Sequence, residues 1–238
     1  MANNVQIELS VPDALSDITL GQYQKYLKIL DQNKDDENAA EFINLKTIEI
    51  FCNVEFKDVL KIPLGEAEKV LTIINKAFDE KPDIIRHFKL LSVDMGFIPN
   101  LERISLGEYI DVENNIVDWQ TMHKAMAVLY RPVNFRSKEK YTIAPYEPSD
   151  EVSELMKEMP LDVAMSSMVF FYDLGMELLK AIPTYIQKNL TEEQTYLLKQ
   201  TLAQSGGGIN QSMHSLEEIF SSSTKLPTFR IVTGKQKP

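Results

Sequence analysis

The chain has 238 residues, of which 25 are basic and 35 acidic, so its net charge is −10. This balance disfavours nucleic acid as the main partner, because phosphate neutralisation needs a wide basic surface. Hydrophobic residues make up 44% and charged residues 25% of the chain, as in globular proteins, which argues against a disordered scaffold for its bulk. We expect a folded protein that binds another protein.

The first predicted elements are a short strand and three helices. Val5, Ile7, Leu9 and Val11 alternate with polar residues, which indicates a half-buried N-terminal strand. Apolar residues then recur at helical spacing in three segments, residues 19–31, 38–53 and 66–78.

The pattern changes between residues 84 and 99, where apolar and polar side chains alternate around Phe88 and Leu90. A period of two predicts two short strands or an extended excursion there. Two prolines, Pro145 and Pro148, and the strand-like Tyr141 and Ile143 interrupt residues 133–149. The remaining segments have helical spacing and are predicted as helices: residues 105–116, 118–130, 149–159, 161–182, 191–204 and 210–220.

These elements predict a mainly α fold with a minor β part (α+β), in which a helical bundle is joined by the N-terminal strand and the 84–99 hairpin. We divide the chain into an α+β part (1–100), a helical part (101–204) and a C-terminal region (205–238). That region comprises a glycine-rich joint, a short helix and a basic tail. The alternative is one continuous domain over residues 1–204.

A six-residue phrase occurs twice and has a fainter third copy: Ile-Thr-Leu-Gly-Gln-Tyr at residues 18–23, Ile-Ser-Leu-Gly-Glu-Tyr at 104–109, and Ile-Pro-Leu-Gly-Glu at 62–66. Thr19 and Ser105 fit the N-cap position, and Gln22 and Glu108 follow three residues later, which is the pattern of a capping box. The phrase therefore predicts helix starts. An ancient duplication of a helix-start unit is the alternative reading.

No residue is predicted to be catalytic, to bind a cofactor or to ligate a metal. None of His87, His123 and His214 has a second histidine or a cysteine at ligand spacing. His123 is expected on the partly exposed flank of a helix. The single cysteine, Cys52, lies in an apolar stretch and is expected to act as a small hydrophobe.

Two further features are explained by ordinary structural roles rather than by a functional site. The glycines at residues 206–208 precede no lysine, so they predict a joint rather than a phosphate loop. Neighbouring acids such as Asp111 and Glu113 are expected on solvated helix surfaces.

The most apolar stretch, residues 160–182, carries Asp162, Asp173, Glu177 and Lys180. Each charge costs about 2.5–3.5 kcal/mol at mid-bilayer, so a core helix is favoured over a membrane span. The first residues lack the pattern of a signal peptide, and we expect the protein in the cytoplasm of a bacterial host cell, with the virion as the alternative location.

Methionine-rich stripes are the candidate partner-binding surface, because methionine adapts to apolar partners. The candidates are Trp119, Met122, Met126, Met165 and Met168. Ordinary core packing is the alternative for all five.

The C-terminal tail has no acidic residue after residue 224 and carries Lys225, Arg230, Lys235 and Lys237. It is expected either to dock on an acidic surface or to remain solvated. Phe229 and Ile231 in this tail are further candidates for partner binding.

Residues 97–190 resemble a loose group of tailed-bacteriophage proteins from the tail-assembly or baseplate-hub-assembly region. The resemblance lies in Leu-Gly-Glu-Tyr-Ile-Asp at 106–111, in Trp119 with Met-His-Lys-Ala-Met-Ala-Val-Leu-Tyr-Arg-Pro at 122–132, and in Pro-Leu-Asp-Val at 160–163 leading to Phe170 and Phe171.

The resemblance implies a non-enzymatic, chaperone-like assembly factor that binds a tail or baseplate-hub subunit. One alternative is a structural virion component of the tail, connector or baseplate, held by a symmetric interface. The other is an enzyme with an unrecognised carboxylate site.

Overall fold

The helices of the first third form where apolar side chains recur at helical spacing. The computed structural model describes residues 9–36, 38–138 and 140–171, and everything below concerns these ranges. The four helices are α1 (Leu20–Gln32), α2 (Ala40–Phe51), α3 (Phe56–Val59) and α4 (Leu64–Ala77). The three helices predicted for this part of the chain are therefore confirmed, and α3 is an additional single turn.

Aromatic rings join these helices into the core. The Tyr26 and Phe51 rings lie 5.1 Å apart, and Phe78 lies 5.8 Å from both Phe51 and Tyr23. The Tyr23 ring also meets Trp119 edge-on at 4.9 Å. Such contacts stabilise beyond simple burial, so this cluster fixes the N-terminal helices to the middle of the chain.

A four-stranded antiparallel sheet stands beside the helices in the order β1-β2-β3-β4. Its strands are β1 (His87–Leu90), β2 (Val93–Phe97), β3 (Tyr130–Ser137) and β4 (Lys140–Ile143). The hairpin of β1 and β2 confirms the excursion predicted between residues 84 and 99. Leu91 and Ser92 form its turn with positive φ angles of 46° and 74°.

The second hairpin, β3 and β4, crosses the outer face of the first at Gly96. A Cβ atom there would lie 2.9 Å from Val133 and 3.0 Å from Tyr141, so only glycine permits this approach. The Tyr141 hydroxyl also donates a hydrogen bond to the Phe97 carbonyl over 2.6 Å. The two hairpins are thus held together by both packing and a partly buried hydrogen bond.

Two helices lie between β2 and β3, namely α5 (Leu106–Ile116) and α6 (Met122–Leu129). Helix α6 is shorter than predicted, because residues 118–121 form a turn. After the sheet follow α7 (Asp150–Leu155), a 3-10 turn (Met156–Glu158) and α8, whose described part is residues 161–171.

The mainly helical α+β class is confirmed, but two details differ from prediction. Residues 9–13 form no strand, and Leu9 and Val11 instead pack partly buried against the core as irregular chain. The region predicted as helical also contains β3 and β4. Its arginine and proline at residues 131 and 132 had suggested only a helix stop, but Pro132 pairs with Met95 in the sheet.

The division predicted near residue 100 separates strands that pair, because β2 lies before it and β3 after it. One cluster of buried residues also continues across this position. The first half of the predicted N-terminal strand, the helices predicted at 191–204 and 210–220, the glycine-rich joint and the basic tail lie outside the described residues.

Within the described ranges, no helix has both the length and the apolar character needed to cross a membrane.

Candidate protein-binding surfaces

The five methionine and tryptophan side chains predicted to bind a partner lie in the core. Met122 and Met126 have no exposed surface, Met168 is 1% exposed, and Trp119 and Met165 are also buried. The prediction of an accessible surface is therefore corrected to the alternative, core packing. Core and interface stripes have the same helical spacing, and the sequence carried no signal that separates them. Phe229 and Ile231 lie outside the described residues.

His123 is buried, in contrast to the partly exposed flank that was expected. Its Nδ1 lies 3.1 Å from Gln24 Nε2, which can only donate, so Nδ1 accepts and the neutral ring carries its proton on Nε2. Nε2 lies 3.4 Å from a Glu154 oxygen in a geometry that is not a hydrogen bond. Burial first, and then Lys157, lower the pKa of His123, so this histidine is a neutral core residue.

Cys52 behaves as predicted. It is buried, and burial raises the pKa of its thiol to about 11, so it is neither a thiolate nor a nucleophile at neutral pH. In the ranges that the structure describes, no three His, Cys, Asp or Glu side chains are grouped closely enough to hold a metal ion. His214 lies outside these ranges.

The most exposed apolar helix face belongs to α5. Leu106, Tyr109 and Ile110 are 75%, 50% and 44% exposed, and their spacing of three and four residues places them on one side of the helix. We call these three residues the α5 face. Large apolar side chains are normally buried, so a contiguous exposed set marks a surface suited to a partner.

The buried side of α5 is fixed to the sheet by a polar network. Ser105 and Glu108 form the predicted capping box: each side chain accepts a hydrogen bond from the other residue's backbone amide. Glu108 also accepts from Arg131 Nη2 over 2.7 Å, and both side chains are nearly buried. Burial would raise the pKa of Glu108, but the Ser105 hydrogen bonds and the Arg131 charge together lower it, so Glu108 stays ionised.

Tyr146 completes this network. Its hydroxyl donates to Asp111 on α5, and Arg131 lies 5.9 Å from the centre of its ring. Burial and then Asp111 raise the pKa of Tyr146 to about 12, so the hydroxyl remains a donor. The α5 face is therefore presented by a helix that is anchored to β3 through Arg131 and to the segment after β4 through Tyr146.

No protein-family model, curated protein or solved structure matches the chain. The role of the α5 face therefore has to be judged from its own exposure and contacts.

A second surface is a cleft of about 400 Å³ between the two hairpins. Its lining includes His87, Lys89, Phe135 and Arg136, with Asp94 as the one carboxylate among the lining residues. Burial, followed by Arg136 and Arg86, lowers the pKa of His87, so its ring is neutral at pH 7.

The closest charged pair in the cleft is Lys89 and Asp94, whose nitrogen and oxygen lie 3.9 Å apart, beyond hydrogen-bond distance. The carboxylate pair that the enzyme alternative requires is not among the lining residues of this cleft.

Sequence reasoning missed the α5 face because the repeated phrase explained it as helix capping alone. The usable signal was the pair Tyr109 and Ile110: both follow the cap on the side away from Val112 and Ile116, which are the buried positions of α5.

Proposed function

We propose that this protein is a non-enzymatic assembly factor of a tailed bacteriophage, which binds a tail or baseplate-hub subunit through the α5 face. The observation that carries the proposal is the exposure of Leu106, Tyr109 and Ile110 on one side of an anchored helix.

The physical argument begins with preorganisation. Association costs less when the contact residues already stand in their bound arrangement. Glu108 and Asp111 fix α5 through Arg131 and Tyr146, so its outward side chains lose little backbone freedom on binding. Three apolar anchors at positions i, i+3 and i+4 match the spacing by which a helix engages an apolar groove.

The charge of the chain supports the same role. A net charge of −10 opposes self-association and favours solubility while an apolar client is bound. The residues that resemble tail-assembly proteins begin at 106–111, within the same helix. This position supports a role for the α5 face in the assembly function that the resemblance implies.

The test is co-purification of the full chain with each tail and baseplate-hub subunit of the same phage. In the complex that forms, the double variant Leu106→Asp with Tyr109→Asp should weaken binding at least about 100-fold, because charges replace two apolar anchors. Leu64→Asp is the matched control: Leu64 is 76% exposed and occupies the same place in the third copy of the phrase.

Loss of binding in the double variant with retention in the control would support the proposal. Unchanged binding by the double variant would refute the role of the α5 face. Circular dichroism and urea unfolding of both variants would establish that they are folded.

A structural virion component is the competing proposal. Mass spectrometry of purified particles separates the two, because an assembly factor is absent from the mature particle whereas a structural subunit is present at fixed copy number.

A further inference from the structure

At the start of α1, the first copy of the repeated phrase pairs with a segment from later in the chain. The Leu20 amide donates to the Met159 carbonyl over 2.9 Å, and the Leu161 amide donates to the Ile18 carbonyl over 2.8 Å. Thr19 and Pro160 form the antiparallel bridge between these two bonds. Residues 159 and 160, together with Leu161 at the start of α8, therefore pair with the backbone just where α1 begins.

Gly21 lies at a close approach in this arrangement. A Cβ atom on Gly21 would lie 3.1 Å from both the Cβ and the carbonyl oxygen of Lys157. Leu20 and Tyr23 are completely or almost completely buried, at 0% and 1% exposure, and the Tyr23 ring packs against Trp119 and Phe78. In α1, the two backbone groups, the glycine and the two apolar side chains of the phrase thus each have a contact within the fold.

The same phrase at α5 has the same cap but no cover. Among the described residues, no backbone group pairs with the Leu106 amide or the Ile104 carbonyl. A Cβ atom on Gly107 would meet nothing within 4 Å. Glycine lowers helix stability relative to alanine. No contact within the described residues explains why position 107 is a glycine rather than an alanine.

We propose that the α5 face takes an extended segment of a partner protein, seated as residues 159–161 are seated on α1. This inference rests on the proposed function and names the element that is bound. The segment has an apolar residue, a proline and a second apolar residue in sequence. Its backbone pairs with Leu106 and Ile104, and its side chains cover Leu106 and Tyr109.

The charge around the site selects a basic segment. Residues 102–120 carry five acidic residues and one basic residue, Arg103; the acidic residues are Glu102, Glu108, Asp111, Glu113 and Asp118. Arg131 neutralises Glu108, whereas Glu113 and Asp118 are exposed. A partner with lysine or arginine beside its proline would therefore be attracted, and more strongly at low salt.

The probes are two synthetic peptides. The first has the sequence of residues 155–163, and the second is the same peptide with Glu158→Lys and Asp162→Lys. Each is titrated to about 1 mM into the full-length 15N-labelled chain, since a short segment binds weakly. We expect amide shift changes centred on residues 104–110 and at least about threefold tighter binding of the basic peptide in low salt.

Shift changes centred elsewhere, or none at this concentration, would overturn the inference. Equal affinity of the two peptides would overturn the assignment of a basic partner.

Gly107→Ala tests the close approach directly. The added methyl group meets open space in the free chain, so the fold is retained, but it would stand where Gly21 faces Lys157 in the covered copy. We expect at least a tenfold loss of affinity for the basic peptide. Gly65→Ala is the matched control, because Gly65 also has nothing within 4 Å and occupies the same place in the third copy.

Leu106→Pro tests the backbone bond. Proline is well tolerated at the first residue of a helix, and Ser105 already has the extended conformation (φ −71°, ψ 159°) that proline requires before it. Compared with Leu106→Ala, this variant additionally removes the amide hydrogen. We expect it to bind the peptide at least threefold more weakly than Leu106→Ala, and equal binding by the two would exclude backbone pairing.

The client complex separates this inference from the proposed function. If Leu106→Asp with Tyr109→Asp abolishes client binding while Gly107→Ala leaves it unchanged, the α5 face binds the client but not through a closely seated extended segment. If neither variant changes client binding, the proposed function itself fails.

Discussion

The first turns of α1 and α5 have almost the same sequence and the same capping box, yet α1 begins in the core and α5 begins at the surface. Thr19 and Gln22 exchange hydrogen bonds in one copy, as Ser105 and Glu108 do in the other. Leu20 is fully buried, whereas Leu106 is 75% exposed. Capping therefore determines where a helix starts, and neighbouring segments determine which side chains it buries.

Gln22 and Glu108 each make one further contact outside the capping box, and this contact shows the difference between the two helices most clearly. Gln22 Nε2 donates to the Ile50 carbonyl over 2.8 Å, which joins α1 to α2. Glu108 accepts from Arg131 over 2.7 Å, which joins α5 to β3. An amide suits a carbonyl partner and a carboxylate suits a guanidinium, so one residue in the phrase directs the two helices to different neighbours.

The largest expected contrast concerns the two tyrosines of the phrase. Tyr23→Ala should lower the free energy of unfolding by about 3–5 kcal/mol, because Tyr23 is buried against Trp119 and Phe78. Tyr109→Ala should lower it by about 0.5 kcal/mol, since Tyr109 is half exposed. Urea unfolding measures both, and similar values for the two variants would contradict the contrast.

A smaller effect is expected when the capping residues are made alike. Glu108→Gln keeps the capping box, since glutamine also serves at this position, but leaves the Arg131 charge buried without its counter-ion. We expect the free energy of unfolding to fall by about 2–3 kcal/mol. Glu113→Gln, on the same helix but exposed, is the control and should change little.

The same variant changes the response to acid. The pKa of Glu108 is lowered in the folded state, so its contribution is complete above the usual glutamate pKa of about 4.3 and is lost as pH falls through the lower folded value. The wild type should therefore lose more stability than Glu108→Gln between about pH 5 and pH 3. Parallel curves for the two proteins would refute this assignment.

The smallest contrast concerns the two glycines. Gly21→Ala should destabilise the fold by about 1–2 kcal/mol, because the Lys157 backbone carbonyl has little room to move. Gly107→Ala should stabilise it by about 0.5 kcal/mol through better helix propensity. Thermal unfolding shifts of opposite sign are the expected result, and a loss of stability in both variants would show that α5 is also covered in the free chain.

Helix positions were predictable because local periodicity and caps specify them. Helices α1, α2, α4 and α5 begin within about two residues of their predicted starts, which is the usual uncertainty of helix boundaries. The first hairpin was also predictable, from the alternation around Phe88 and Leu90. Strand β3 was not, because Pro132 and its neighbours suggest a break, and only the pairing of Met95 with Pro132 in the sheet reveals a strand.

The surface was harder to predict than the fold. Met122 and Met126 had the composition of an adaptable binding stripe, but α6, which carries both, packs against α5 and α7, and both side chains lie in the core. Leu106 and Tyr109 had the same sequence context as buried Leu20 and Tyr23. Residues 159–161, which lie distant in sequence, pair with the start of α1, and Tyr23 packs against Trp119 and Phe78. Among the described residues, no backbone group pairs in the same way with the start of α5.

The connection between β2 and β3 has a consequence for how the surface of this chain can vary. The Ile98 amide donates to the Leu129 carbonyl over 2.9 Å, so the segment that carries α5 and α6 leaves the sheet and returns to it at one place. A segment whose ends meet can be exchanged without altering the register of the strands beside it. Helix α6 is constrained by the core, whereas the outward residues of α5 are not. Replacing the three exposed side chains of α5 therefore leaves the sheet, the caps and the aromatic cluster as they are.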